Sequence, residues 1–230
     1  MISPRLPGKF DSKFSVEKAH TMQRHLSKQV IREDKIPKNV RYVAGVDVAY
    51  TGESSIGAVA VLDYDSLSLV ESKTAKMKTR FPYIPTLLSF REIPPTLAAI
   101  KKLKTQPDVF LVNGQGIAHP YRLGFASHLG LVLEKPMIGV TKSLLCGQVE
   151  AFNEERWATI RDKWAVVGAA VAREGEKPIY VSVGHKVSLK RAIEIVKHCT
   201  QSYRIPEPIR AAHAVADEEK RRLIRTKLNA

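Results

Sequence analysis

Between Val40 and Ser72 the chain carries three apolar runs rich in β-branched residues: Val40 to Tyr50, Ile56 to Asp63 and Leu67 to Ser72. Only Thr51-Gly52-Glu53-Ser54 and Tyr64-Asp65-Ser66, both of turn composition, join them. Links this short cannot carry the crossover of about a dozen residues that parallel pairing needs, so the three runs predict an antiparallel meander. After Lys73 the pattern changes. A helix is expected around Leu87 to Lys104, interrupted at Pro94-Pro95, then a buried strand at Val109 to Val112. A helix at Leu123 to Leu133 and a strand at Met137 to Val140 follow, then strands around Trp164 to Arg173 and Pro178 to Val183. Ser188 offers an N-cap to a helix running to Thr200. A meander followed by alternating helix and strand predicts a mixed α/β sheet with helices on both faces.

Val16, Ala19, Met22, Leu26 and Val30 recur at helical spacing, which predicts an amphipathic helix over about residues 15–34, before Pro37. The charged tail over about residues 217–230 is expected to fray or to form a surface helix. The 230 residues, 44% apolar, suffice for the core of one domain over 1–230. No apolar stretch reaches membrane-span length, and Met1 to Phe10 lacks the apolar centre of an export signal. Cys146 and Cys199 are too few for a disulfide framework and read as packing residues of a reducing compartment. A cytoplasmic, monomeric protein without a membrane partner is expected. Against 23 Asp and Glu stand 37 Lys and Arg, a net charge of +14 that points to a polyanionic partner.

Asp47 lies within Val43-Ala44-Gly45-Val46-Asp47-Val48-Ala49, where strand alternation aims it to the face of Gly45 and Ala49. A carboxylate there needs compensation, by a metal, an Arg or a set of hydrogen-bond donors. Glu92, in Phe90-Arg91-Glu92, has the context of an ordinary solvated helix residue. Tyr83, in Phe81-Pro82-Tyr83-Ile84-Pro85, is a rigid aromatic that suits stacking on bases or packing beneath a loop. Asn113-Gly114-Gln115-Gly116-Ile117-Ala118-His119-Pro120 follows a buried strand and offers either a plain turn or a close backbone approach to a ligand. Its glycine spacing fits neither a P-loop nor a dinucleotide fingerprint.

Asp47 in Gly-Val-Asp, Pro-Tyr-Ile-Pro through Phe-Arg-Glu, Gly-Gln-Gly-Ile-Ala-His-Pro, Gly139-Val140-Thr141-Lys142-Ser143 and Pro206 to His213 occur in one order along the chain. Together these segments resemble the endonuclease V family. The resemblance implies a ribonuclease-H-like fold and a Mg²⁺-dependent phosphodiesterase, with Mn²⁺ as a substitute, acting on DNA or RNA that contains inosine. Family members hydrolyse the second phosphodiester 3′ to the lesion and leave 3′-hydroxyl and 5′-phosphate ends. By match of motif, Asp47, Glu92 and Asn113 are implied metal ligands, and Lys142 and His213 complete the catalytic group. Tyr83 resembles the wedge that replaces an extruded base, while Leu88, Gly114, His119, Gly139 and Leu145 match substrate-binding positions.

Two positions depart from the family pattern. Asn113 stands where the family has aspartate, which removes a negative charge from a site for a dication and implies low activity. Thr86 stands where many relatives have glycine and is expected to narrow the base pocket. The competing expectations are an inosine-binding protein without turnover and a different ribonuclease-H-like nuclease such as a resolvase.

Overall fold

The computed structural model describes residues 15–228; the readings of Met1 to Phe10 and of the last two tail residues lie outside it. In chain order the elements are α1 (Val16–Ser27), β1 (Tyr42–Thr51), β2 (Ser54–Asp63), β3 (Leu69–Lys78), α2 (Leu88–Ile100), β4 (Val109–Asn113) and α3 (Phe125–Leu133). They continue with β5 (Met137–Thr141), β6 (Gln148–Val149), β7 (Trp157–Asp162), β8 (Ala165–Val171), β9 (Ile179–His185), α4 (Leu189–Cys199) and α5 (Glu207–Leu228). Among the described residues the nine strands form one sheet in the order β3-β2-β1-β4-β5-β9-β8-β7-β6. The meander β1-β2-β3 is antiparallel, and β4 and β5 add to β1 in parallel.

Strand alternation divides the core into two layers. Val43, Leu62, Leu111 and Ile138 face α4 and α5 through Ile193, Val196, Ile209 and Ala212. Ala44, Val46, Val61, Phe110 and Val112 face α2 and α3 through Ile93, Ala99, Phe125 and Leu129. Helices therefore cover both faces, and each buried Val, Leu, Ile or Phe contributes roughly 1.5–3 kcal/mol of transfer free energy. The backbone of Pro208, in the first turn of α5, lies against Gly45 of β1 where any Cβ would collide. This contact seats α5 directly over the strand that carries Asp47. No described helix is long and apolar enough to cross a membrane.

Several elements differ from expectation. Helix α1 stops at Ser27, well short of residue 34, because the chain after it turns away and pairs with Lys186 through Ile31 and Lys35. Its buried residues are Ala19 and Gln23, while Met22 is exposed, so an apolar stripe does not hold it. Strand β3 runs on to Lys78, since β2 offers it a partner along its whole length. Helix α2 passes through Pro94 and Pro95 without a break, with the Pro95 backbone packed on Gly57 of β2. The strand expected from Trp164 begins at Ala165; Lys163, with φ of 56°, and Trp164 form the turn of a β7-β8 hairpin. The segment from Glu207 is one helix of 22 residues, so the tail takes the surface-helix alternative and that helix begins ahead of residue 217. Pro208 sits in its first turn, where the missing N–H has no partner to lose.

Candidate active site

Asp47 in β1 and Asn113, the last residue of the neighbouring parallel strand β4, point to the face covered by α5. A carboxylate oxygen accepts and does not donate, so the Asn113 amide nitrogen is turned toward Asp47, with Nδ2 2.8 Å from Oδ1. The other Asp47 oxygen, Oδ2, lies 2.7 Å from Nδ1 of His213 on α5. The second ring nitrogen of His213, Nε2, is 3.4 Å from Asp217 one turn further along the helix. Asp47 is only 5% exposed, and these two contacts supply the compensation that its burial demands.

Glu92 comes from α2, on the opposite layer. It is buried, at 7% exposure, where local sequence suggested a solvated helix position. The Tyr50 hydroxyl donates to its Oε1 at 3.2 Å, and the Arg91 guanidinium lies 4.3 Å from the Tyr50 ring centroid. Burial, reinforced by the charge of Asp47, pushes the Glu92 carboxyl up to about 8, although the Tyr50 hydrogen bond and Arg91 oppose the shift. Burial, with Glu92 adding to it, also drives the Tyr50 phenol well above its ordinary range. Lys142 is exposed just beyond β5, on the strand next to β4, at the end of the sheet where Asn113 lies.

The donor set fits a hard dication in kind, since Asp47, Glu92 and the Asn113 side-chain carbonyl are all oxygen donors. A buried carboxyl raised to about 8 is also a group that a nearby cation would return to its ionised form. In number the set is weaker. Among the described residues no three His, Cys, Asp or Glu side chains form a metal-ligand cluster. The third position is held by the neutral Asn113, whose amide hydrogens face Asp47.

Beside this group is a cavity of about 180 Å³ lined by Tyr83, Thr86, Leu88, Gly114, Gln115, His119, Leu123, Phe125 and Leu145, among others. Five of the six substrate-binding residues expected from sequence therefore meet here: Tyr83, Leu88, Gly114, His119 and Leu145. Gly139 does not line the cavity. It lies behind the glycine-rich turn, where a Cβ would collide with the backbone of Gly114 and Gly116. The turn is fixed by Gln115, which donates to Thr141 Oγ1 and to the Ser143 carbonyl, and by Ser182, whose Oγ accepts from the Gly116 N–H. Burial pushes His119 down to about 4, and its Nδ1 accepts from the Tyr121 N–H at 3.2 Å. It is thus a neutral ring within a mostly apolar wall.

Sequence reasoning missed Tyr50, Arg91 and Asp217, and also His20 and Gln23, which hold the wall residue Thr86, His20 Nε2 lying 2.9 Å from its Oγ1 and Gln23 Nε2 donating to its carbonyl at 2.8 Å. Asp217 stands four residues after His213, the spacing of one helical face, and would have been legible had the helix been read back to Glu207. Nothing in the local pattern marks the other four, which join the site only through the fold.

The endonuclease V family model matches residues 24–214. An endonuclease V of Trichormus variabilis is 48% identical over 207 residues, covering 88% of this chain and 94% of that relative. The chain belongs to the endonuclease V family. Endonuclease V of Streptomyces avermitilis, a solved structure 37% identical, superposes with a TM-score of 0.85, covering 91% of this chain and 95% of that one. Endonuclease V of Ciona intestinalis, solved with a 24mer DNA containing an inosine followed by a ribo-adenosine, is 33% identical with a TM-score of 0.80. That likeness covers 90% of this chain and 98% of the Ciona chain. The fold is accordingly the ribonuclease-H-like mixed sheet of endonuclease V, and the chain is by family a nuclease.

Proposed function

We propose that this endonuclease V relative acts with Mg²⁺, or Mn²⁺ in its place, on nucleic acid containing inosine. It hydrolyses the second phosphodiester 3′ to the lesion, leaves 3′-hydroxyl and 5′-phosphate ends, and turns over slowly because of Asn113. The observation that carries this reading is the juxtaposition of the Asp47, Glu92, Asn113 and His213 group with a cavity sized for one base. At about 180 Å³ the cavity lies below the roughly 300–1,000 Å³ of ordinary small-molecule pockets, which suits a single planar ring system more than a whole nucleotide.

Asp47, Glu92 and the carbonyl oxygen of Asn113 would hold the dication, which when bound makes an attacking water more acidic and offsets phosphate charge. Every other part of the reaction falls to side chains. Tyr83, 69% exposed and stiffened by Pro82 and Pro85, fills the gap left when the base leaves the stack. The cavity wall of Leu88, Gly114, His119 and Leu145 receives that base. Lys142 places a positive point charge beside the scissile phosphate. His213 is oriented at Nδ1 by Asp47 and takes or returns a proton at Nε2, with Asp217 beside it. Water adds to phosphorus, the bond to the 3′ oxygen breaks, and that oxygen leaves with a proton.

A second reading, an inosine-binding protein without turnover, draws on the Asn113 hydrogen bond to Asp47. That bond satisfies the carboxylate internally and leaves it less need of a cation. One pair of assays separates the readings. Gel shifts without metal, on single strands with one inosine or one adenosine, should show preference for inosine. Prolonged incubation with Mn²⁺ should then yield a trace of product cut at the second phosphodiester. Preference without any cut favours the binding module, and absence of preference sinks both.

A further inference from the structure

We propose that Tyr203, Lys177 and the junction between Lys142 and Arg204 form a subsite for the strand that continues 3′ of the scissile phosphate; the proposal rests on the inosine-directed reading above. The loop over residues 200–206, between α4 and α5, reaches the end of the sheet where Lys142 lies. Its Arg204 fixes this corner. Nη2 donates to the Lys142 carbonyl at 3.0 Å and to the Pro178 carbonyl at 2.6 Å, and Nε donates to the Lys177 carbonyl at 2.9 Å. The pairing of β5 with β9, Thr141 against Tyr180, brings residues 142 and 177–178 to that same end. Lys142 and Lys177 are exposed, and among the described residues neither they nor Arg204 makes an ion pair with a carboxylate. Three positive charges gathered without a carboxylate suit an anion that passes between them.

A cleft of about 440 Å³ beside this corner localises the excess charge. Arg156, Arg173 and Lys197 also line it, but each faces a carboxylate: Glu174 at 3.4 Å, Glu176 at 3.9 Å and Glu155 at 3.7 Å. The unmatched charge of the cleft therefore lies on Lys177 and Arg204, on the side tied to Lys142. Tyr203, next in the chain to Arg204, is 53% exposed. The Arg210 guanidinium lies 3.7 Å from its ring centroid and is itself held by Glu207 at 3.0 Å. An exposed ring fixed by a cation, next to uncompensated positive charge, is the combination by which single strands are bound. Direction follows from the two faces of the sheet. The base cavity lies on the face of α2 and α3, whereas the 200–206 loop joins the two helices of the opposite face. A strand with its inosine in the cavity and its second 3′ phosphodiester at Lys142 has crossed the end of the sheet between them. Its following nucleotides meet Lys177 and Tyr203, and its 5′ side stays with the cavity.

The test measures binding without metal, so that Asn113 does not enter. Single strands carrying one inosine, either ending at the scissile position or extended by a few nucleotides on the 3′ or the 5′ side, are titrated with this chain, Tyr203→Ala, Tyr203→Phe and Lys177→Gln. Both substituted residues are exposed, so the variants are expected to fold. In the parent the 3′ extension should tighten binding by about tenfold or more, the scale of one base-aromatic stack. Tyr203→Ala should lose most of that gain while binding the short strand as the parent does, and Tyr203→Phe should keep it. Lys177→Gln should make the log-log salt slope shallower by about 0.7 on the 3′-extended strand alone, the mark of one phosphate contact. Losses shared equally by short and extended strands, a 3′ gain that Tyr203→Ala leaves intact, or a gain carried by the 5′ extension instead would each overturn the proposal. A parent that binds the short inosine strand no more tightly than its adenosine counterpart removes the base-pocket reading itself, and the 3′ assignment with it.

Discussion

At the scale of single residues, Tyr83 and Asn113 are expected to govern binding and turnover respectively. Tyr83 projects between two prolines at the mouth of the cavity, with little conformational freedom left to lose on stacking. Replacing it with alanine should weaken binding to an inosine strand by about 1–3 kcal/mol, the worth of one base-aromatic stack. Tyr83→Phe should bind almost as the parent does, because the ring face and not the hydroxyl makes the contact. Equilibrium titration of both variants checks this, and equal losses in the two would point to the hydroxyl instead. The residues of the site were legible from motif order wherever they lie in runs such as Gly45-Val46-Asp47 or Pro82-Tyr83-Ile84-Pro85. What stayed hidden was environment. Glu92 has the local context of a surface helix residue, and only the packing of α2 against β2 and the approach of Tyr50 make it a buried carboxyl raised to about 8. Thr86 likewise shows its strained backbone only in three dimensions.

At the scale of elements, the joint between α2 and α3 is where pH should act on stability. His128 of α3 is buried there, its Nδ1 3.0 Å from Ser89 Oγ and its ring edge-on to Phe90 at 5.2 Å. Burial pushes it down to about 4. The unfolded chain takes up this proton near 6.5, whereas the folded chain does not until about 4. The stability contribution is therefore full above 6.5 and is lost as pH falls toward 4. By pH 5 the loss should be about 2 kcal/mol at 1.36 kcal/mol per unit. Urea unfolding of the parent at pH 7 and pH 5, against the same pair for His128→Phe, should show a smaller drop in the variant; equal drops would contradict it. The joint between β1 and α5 is steric. Gly45→Ala puts a methyl into the Pro208 backbone and should cost about 1–3 kcal/mol in unfolding experiments, with His213 displaced from Asp47. A neutral substitution would show that α5 can shift freely. The meander and most helices were readable because period-two and period-3.6 patterns are local. The start of helix α5 was not read because the tertiary contact of Pro208 with Gly45 is out of view in the sequence. Hairpin β7-β8 was misread because its Lys163-Trp164 turn lacks the usual glycine or asparagine.

At the scale of the whole molecule, the net charge of +14 supplies attraction that no single site explains. Binding to a single strand should weaken steeply with salt. A log-log slope steeper than about −2 is expected, equivalent to about three neutralised phosphates at roughly −0.7 each, and a flat dependence would remove the electrostatic part of the account. On the proposed function, in which the cavity and Tyr83 rather than the charge select the base, the preference for inosine should persist across that range.

On the proposed function, one amide, at position 113, withholds a charge from the group formed by Asp47, Glu92 and His213. The most direct test is the rate of cleavage of single-stranded inosine DNA and RNA at increasing Mg²⁺, for this chain and for Asn113→Asp prepared in parallel. Asn113→Asp is expected to cut at the second phosphodiester 3′ to inosine about a hundredfold faster or more, the scale of losing one electrostatic contributor at a reaction centre. The variant is also expected to need less Mg²⁺ to do so. Equal rates for the two proteins, or a variant that binds inosine and still does not cut, would contradict it.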